Sequence, residues 1–387
     1  MILTFRYLLL PTKLQHRVLE RILEDQRLLY NAALEERIEA YRKAGITRGY
    51  VDQCQALTEW RQHDAEASAI PANLQRWTLK RLDEAHRAFF RRVRKGDKPG
   101  FPRFKGKGRF RSFGFREFSG IRLNDCRLRF KGLPGSLRVH LHRPLPNASM
   151  RSCVFTRTVK GWYVGFAVEV PEARLREGPR AVGIDLGIKT FAALSDGGFI
   201  PSLRAARRAA RKLRVAQRAL ARKVRGSGGR RRARAQVARC HDDIARSRAN
   251  HLHQASARIV RDYDAIAIER LNVKGLVRGV LGKDVKDAAW AKFISMLRYK
   301  AACAGSRLIE VDPNDTSQEC SGCGARVPKR LNERRHECPV CGLLCDRDLN
   351  AARNILYRGG VVPGPRNVAG CGMRAGGNLE EAAGAPT

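Results

Sequence analysis

Four cysteines near the C-terminal end are spaced for metal binding. Cys320-x2-Cys323 is followed, after 14 residues, by Cys338-x2-Cys341. Two such pairs present four sulfurs from two tight turns, which suits a tetrahedral Zn²⁺ held by thiolates. Gly322, Gly324 and Gly342 fit those turns by accepting positive φ. Cys345 falls off the pattern and reads as a packed thiol or a spare ligand. A closed four-thiolate site is structural, so the chemistry must come from other residues.

Three acids are candidates. Asp185 interrupts the apolar run AVGIDLGI, Glu269 ends the apolar run YDAIAIE, and Asp348 opens the helical stretch LNAARNILYR. A carboxylate in an apolar strand is costly to bury without a partner. A metal could serve all three. Two divalent ions about 4 Å apart activate a water and stabilise the leaving oxygen in phosphodiester hydrolysis. Oxygen ligands favour Mg²⁺ or Mn²⁺ over softer ions. Each acid also has a plainer reading: a turn cap for Asp185, a partner of Arg270 for Glu269, a helix N-cap for Asp348. Asp346 competes with Asp348 for the third position.

The elements that must position these residues follow from periodicity and punctuation. Residues 2–10 alternate as a strand; Pro11-Thr12 opens a helix to about Ala44, stopped by Gly45. Further helices are expected over Tyr50–Gln62 and from Pro71 to about Val93. Strand-like runs at 121–130, 137–143, 151–159 and 162–170 predict a small antiparallel barrel. After a linker at Pro171–Pro179, strands at 181–188 and 190–195 open an α/β unit. It continues through a helix at Cys240–Asp262, strands at 263–269 and 307–311, and an amphipathic helix at 287–304. His140 and His142 read as strand-face residues. His251 and His253, two apart on a helix, do not share a metal. From Gly359 the chain is rich in Gly, Ala and Pro and is expected to be disordered.

Lys and Arg number 76 against 37 acids, a formal charge of +39. Self-repulsion opposes folding at such a charge, and a polyanion explains it: nucleic acid first, an anionic membrane surface as the weaker alternative. Two segments concentrate it. Residues 94–116 interleave Arg103, Lys105, Lys107, Arg109 and Arg111 with Phe101, Phe104, Phe110, Phe113 and Phe115, which suits phosphates beside stacked bases; the plainer reading is a glycine-rich linker with some buried Phe. Residues 204–239 lie within a stretch, 197–241, that holds no acid, and Arg207, Arg211, Arg214 and Arg218 line a helix there, which suits backbone phosphates. No apolar run approaches the roughly 20 residues that span a bilayer. The first residues do not fit a signal peptide, and eleven cysteines with a zinc pattern suit a reducing cytoplasm.

The segments GIDLGIKTFAALSDG, IAIERLNVKGL and CDRDLNAARNIL resemble the three parts of a RuvC-like nuclease of the TnpB (OrfB) family. TSQECSGCG and CPVCG resemble that family's zinc ribbon, and GFPRFKGKGRFRSF its mid-chain basic motif. The resemblance implies an α/β, RNase H-like (RuvC) nuclease domain with an inserted zinc ribbon. It adds an N-terminal helical recognition domain and a small β-barrel wedge domain. The expected layout is a first wedge strand at 1–10, recognition helices at 11–95 and the wedge at 96–178. The nuclease domain covers 179–311 and 346–358, around a target nucleic-acid-binding ribbon at 312–345, with a tail from 359. The family pattern D-x-N-A-A-x-N-I favours Asp348 over Asp346, so the implied catalytic, magnesium-binding set is Asp185, Glu269 and Asp348. The implied partners are a transposon-derived guide, the omega RNA, and double-stranded DNA cut next to a short transposon-adjacent motif. Base pairing would read the target and the protein the short motif. A monomer is favoured, in the prokaryotic cytoplasm at the nucleoid and without membrane contact. Two alternatives are a nuclease-inactive RNA-guided DNA-binding regulator and an RNA-independent RNase H or resolvase-type nuclease.

Overall fold

A computed structural model describes residues 1–272, 287–330 and 333–361. The end of IAIERLNVKGL and the tail beyond 361 lie outside the described residues. The chain divides into two compact units, Met1–Pro171 and Glu172–Thr387.

In the first unit, strand β1 (Ile2–Leu10) leads into helix α1 (Lys13–Ala44). Thr12 and Gln15 form a capping box: the Gln15 N–H donates to Thr12 Oγ1 and the Thr12 N–H donates to Gln15 Oε1. Helices α2 (Tyr50–His63) and α4 (Ala72–Arg94) lie where periodicity put them. A short α3 (Ala65–Ser68), capped by Asp64, was not expected. Strands β2 (Ser112–Phe115), β3 (Ile121–Asn124), β4 (Arg127–Phe130), β5 (Leu137–His140), β6 (Met150–Thr158) and β7 (Gly161–Glu169) join β1 in a seven-stranded antiparallel sheet. Its order is β2-β6-β7-β1-β5-β4-β3. The expected run 121–130 is in fact a hairpin. Asp125 takes a left-handed φ of 51° that Asp tolerates, and the chain reverses there. The sheet curls back on itself. Phe115 and Phe130 stand on strands five spacings apart, about 24 Å in a flat sheet, yet their rings are 5.5 Å apart. Leu34, Leu74 and Leu82 of the helices share one core with Phe113, Phe155 and Trp162 of the sheet.

The second unit is built on a five-stranded mixed sheet. Its strands are β8 (Ala181–Leu186), β9 (Thr190–Leu194), β10 (Phe199–Pro201), β11 (Ala265–Glu269) and β12 (Arg307–Val311), in the order β10-β9-β8-β11-β12. β8, β11 and β12 run parallel, while β9 and β10 are antiparallel to their neighbours. Helices α5 (Ala205–Ala221) and α6 (Gly228–Asp262) connect β10 to β11, and α7 (Trp290–Ala304) lies between β11 and β12. α6 begins a dozen residues before the expected Cys240. Ser227 caps it by accepting the Arg230 N–H, which leaves Gly228 and Gly229 in the first turn, where glycine does not break a helix. Val182, Ile184, Leu186, Ile266 and Ile268 pack one face of the sheet against Leu252, Ile259, Phe293 and Leu297. The other face takes α8 (Arg347–Arg358), preceded by the hairpin β13 (Arg335–Glu337) and β14 (Leu344–Asp346). No helix among the described residues is long and apolar enough to cross a membrane.

Candidate active site and metal centre

The sheet register brings the first two acids together. β8 and β11 pair in parallel up to Ile184 and Ile268, so Asp185 and Glu269 are the next residues on adjacent strands. Both lie on the face covered by α8, because side chains alternate and Gly183 and Ala267 two residues earlier meet that helix. Gly183 sets the approach. A Cβ there would fall 2.0 Å from the Ala352 carbonyl oxygen, so only glycine lets α8 cross so close. One turn before Ala352, at the start of that helix, stands Asp348. A Cβ on Gly187 would lie 3.9 Å from Asp348 Oδ2, which puts this carboxylate beside the end of β8.

Electrostatics link the three. Asp185 keeps some solvent contact, but protein surrounds its carboxyl closely. Burial, and then the carboxylates of Glu269 and Asp348, push it up to about 8, against Arg347 and the Leu186 N–H. Burial also raises Glu269, opposed by the Thr316 hydroxyl and by Arg358. Asp348 is raised by burial, with Arg334 the main opposing group. The Arg334 guanidinium lies 3.4 Å from Asp348 Oδ1. Burial and two neighbouring carboxylates disfavour the ionised form of Asp185, and a hard cation relieves such a cost, so these oxygen donors fit Mg²⁺ or Mn²⁺. Asp346 does other work. Its Oδ1 accepts the N–H groups of Asp348 at 2.8 Å and Leu349 at 3.2 Å, so Asp346 is the N-cap of α8.

The four cysteines form the tight centre expected of them. Their Sγ atoms all lie within 4.8 Å of one another, the only such group of possible ligands among the described residues. Each knuckle closes through a glycine: Gly324 (φ 79°) donates to the Cys320 carbonyl and Gly342 (φ 70°) to that of Cys338. Gly322 was expected to do the same, but its φ is not in the left-handed region. A Cβ there would press within 3.3 Å of Cys341 Sγ, so close approach is its reason. Four convergent sulfurs fit Zn²⁺. Cys345 is paired across β13–β14 with His336, apart from the quartet.

Residues that the sequence reading assigned no role join the two centres. Asn350 Oδ1 accepts the Ser321 N–H at 2.9 Å, and its Nδ2 donates to the Glu319 carbonyl at 2.7 Å. Asn354 donates to the carbonyls of Thr316 and Glu319. Both are buried on α8 at positions where a core leucine would be ordinary, and that polarity inside DLNAARNI was the available signal.

The expected nucleic-acid contacts separate by burial. Arg103, Lys107, Arg109 and Arg111 are exposed, as are Phe101 and Phe104. Phe101 packs its edge on His86 and Phe89. Lys105 is half-buried, with its ammonium 5.4 Å from the centre of the Tyr30 ring. Phe110, Phe113 and Phe115, expected to stack on bases, are instead buried, Phe110 against Tyr30 beneath the Arg81 guanidinium and the other two against Phe155. On α5, Arg207, Arg211, Arg214 and Arg218 are exposed, at a spacing that keeps them on the side opposite buried Ala205 and Ala216.

Three family models match the chain. A probable transposase model (OrfB, IS605) covers residues 165–279, a Cas12f1-like TNB domain covers 290–355 and a helix-turn-helix domain covers 1–45. A Streptomyces pristinaespiralis protein named "Putative RNA-guided DNA endonuclease" is 35% identical over 365 residues, covering 92% of this chain and 89% of that protein. The similarly named InsQ of Escherichia coli K12 is 27% identical over 381 residues, covering 92% of both. Among solved structures, Cas12f1 in complex with sgRNA and target DNA superimposes with a TM-score of 0.59 at 15% identity. That match covers 89% of this chain and 82% of that one, and shows a shared fold. With the quartet of cysteines, the acids at adjacent strand ends and a 35% identical relative matched over nearly its whole length, the chain belongs to the TnpB (OrfB) family.

Proposed function

We infer that this protein is an RNA-guided DNA endonuclease encoded by an insertion sequence, which cuts double-stranded DNA beside a short transposon-adjacent motif. The observation that carries the reading is that Asp185 and Glu269 follow the paired ends of adjacent parallel strands, with Asp348 of α8 near enough to act on the Asp185 carboxyl. All three acids are intact, which disfavours a nuclease-inactive regulator. The relatives' names, which specify RNA guidance, disfavour an RNA-independent nuclease. Bound Mg²⁺ or Mn²⁺ ions would activate the attacking water and stabilise the leaving oxygen of the phosphodiester. The three carboxylates would hold those ions. Exposed Arg334, beside Asp348, carries a positive charge at the edge of the site where a DNA phosphate would sit.

The remaining assignments rest on the same family likeness. The β8–β12 sheet and its helices serve as the RNase H-like nuclease domain, α1 to α4 as the recognition helices and the curled seven-stranded sheet as the wedge barrel. The cysteine ribbon binds zinc and target nucleic acid. Omega RNA and double-stranded DNA are the partners, the protein acts as a monomer, and its place is the prokaryotic cytoplasm. Purifying the protein from cells that carry its insertion sequence, sequencing the bound RNA and assaying cleavage of matched DNA with Mg²⁺ tests the reading. Absence of a discrete copurified RNA, or no cutting with it, would sink it.

A further inference from the structure

Glu269 is held from outside its own strand. The Thr316 hydroxyl donates to Glu269 Oε1 at 2.6 Å, with both residues buried. Among the described residues no hydrogen bond reaches Glu269 Oε2, so one oxygen is fixed and the other is left for a cation. The Pro313 carbonyl is a second acceptor for the same hydroxyl at 3.2 Å. A hydroxyl has one hydrogen, and the shorter contact to the carboxyl group takes it.

The loop that carries Thr316 is built to keep it there. Asp315, just before it, sits in the left-handed region at φ 58°, and its carbonyl accepts the N–H groups of Gln318 and Glu319. Asn354 of α8 donates to the Thr316 carbonyl at 2.9 Å. Arg358, one turn on, donates to the Asp312 carbonyl at 3.1 Å and also to the Asn314 carbonyl. The same helix starts with Asp348. Thus α8 sets one acid directly and reaches a second through Thr316.

We propose that Thr316 is a positioning residue of the nuclease centre: its hydroxyl fixes the Glu269 carboxylate for divalent-metal binding. The proposal rests on reading Asp185, Glu269 and Asp348 as metal ligands. Hydrogen-bond partners of metal ligands typically contribute about 10- to 100-fold to metal affinity.

The test uses the full-length protein and two substitutions, Thr316→Val, which keeps the shape and removes the hydroxyl, and Thr316→Ser, which keeps the hydroxyl. Mn²⁺ is titrated while the melting temperature is followed, since an ion that binds the folded state raises it. Zinc content and cleavage by the guide-loaded protein are measured alongside. Thr316→Ser should titrate like the parent. Thr316→Val should keep its zinc, need at least about 10-fold more Mn²⁺ for half its thermal shift, and recover cleavage as Mn²⁺ is raised. Thr316→Val titrating like the parent would overturn the proposal. So would loss of zinc, or cleavage that added Mn²⁺ does not recover, because Thr316 would then serve the fold alone. Asp185→Ala separates the two levels. If it leaves both the Mn²⁺ response and cleavage intact, the metal-site reading itself fails, whatever Thr316 does.

Discussion

Asp346 and Asp348 are two residues apart and have different surroundings. Asp346 caps α8 through two backbone N–H groups, whereas Asp348 faces Arg334 and the end of β8. Asp346→Ala should therefore cost about 1 kcal/mol of stability, as loss of an N-cap does, and leave cleavage measurable. Asp185→Ala, Glu269→Ala or Asp348→Ala should each abolish cleavage while guide RNA still binds, and a double substitution should do no further harm. Cleavage and RNA-binding assays on the four single variants check this; a dead Asp346→Ala beside an active Asp348→Ala would reverse the assignment. A pH signature belongs to the same cluster. Asp185 is pushed up to about 8, against roughly 3.9 in an unfolded chain. Between those values the folded protein keeps a proton that the unfolded chain has released, so the residue lowers stability as pH rises through that window. Without divalent metal, Asp185→Asn should melt with the parent near pH 4 and above it at pH 8 and beyond. Melting curves across that range decide it. Asp348 was separated from Asp346 only by the family pattern; Asp185, Glu269 and the cysteines were legible as candidates because a carboxylate in an apolar strand, or paired thiols at short spacing, has few inexpensive alternatives. Thr316, Asn350 and Asn354 were not, since a hydroxyl or amide that bonds a loop leaves no periodic mark.

At the scale of elements, one helix crossing decides the site. α8 lies on β8 only because Gly183 has no side chain. Gly183→Ala should push the helix away, cost about 1–3 kcal/mol as overpacking does, and reduce cleavage by displacing Asp348. Denaturant unfolding and a cleavage assay check both effects, and cleavage at the parent rate would show that Asp348 does not depend on the crossing. The same helix is tied to the cysteine ribbon through Asn350 and Asn354, which bond Ser321, Glu319 and Thr316. Zinc removal should therefore damage catalysis at a distance. Elemental analysis should find one zinc per chain, and chelating it should stop cleavage along with protection of the α8 amides from hydrogen exchange. The sequence revealed most of these elements. It missed the turn at Asp125, because the alternation of apolar and polar residues continues on both sides of it. It also started α6 late, because Gly228 and Gly229 resemble a break when Ser227 is not recognised as a cap.

Over the whole molecule the excess of positive charge needs a division of labour. Of the two basic segments, 94–116 and 204–239, only the first carries aromatic rings, and the structure divides those rings in two. Phe110, Phe113 and Phe115 belong to the core, where they anchor the segment, while Phe101 and Phe104 remain at the surface beside Arg103, Lys107, Arg109 and Arg111. The α5 arginines have no ring near them in sequence, and Arg207, Arg211, Arg214 and Arg218 make no ion pair among the described residues. They can meet phosphates but cannot stack on bases. The two surfaces should respond differently to salt. Each lost phosphate contact lowers the slope of log affinity against log salt by roughly 0.7–0.9. Replacing the four α5 arginines together by Gln should weaken binding to every guide sequence and flatten the slope by about 3. Replacing Phe101 and Phe104 by Ala should weaken binding by about 1–3 kcal/mol for each stacked base and leave the slope unchanged. Guide-RNA affinities at four or more salt concentrations separate the two effects. A parental slope in the arginine variant would remove α5 from the phosphate surface. A flattened slope in the phenylalanine variant would mean that the rings position cations rather than stack on bases.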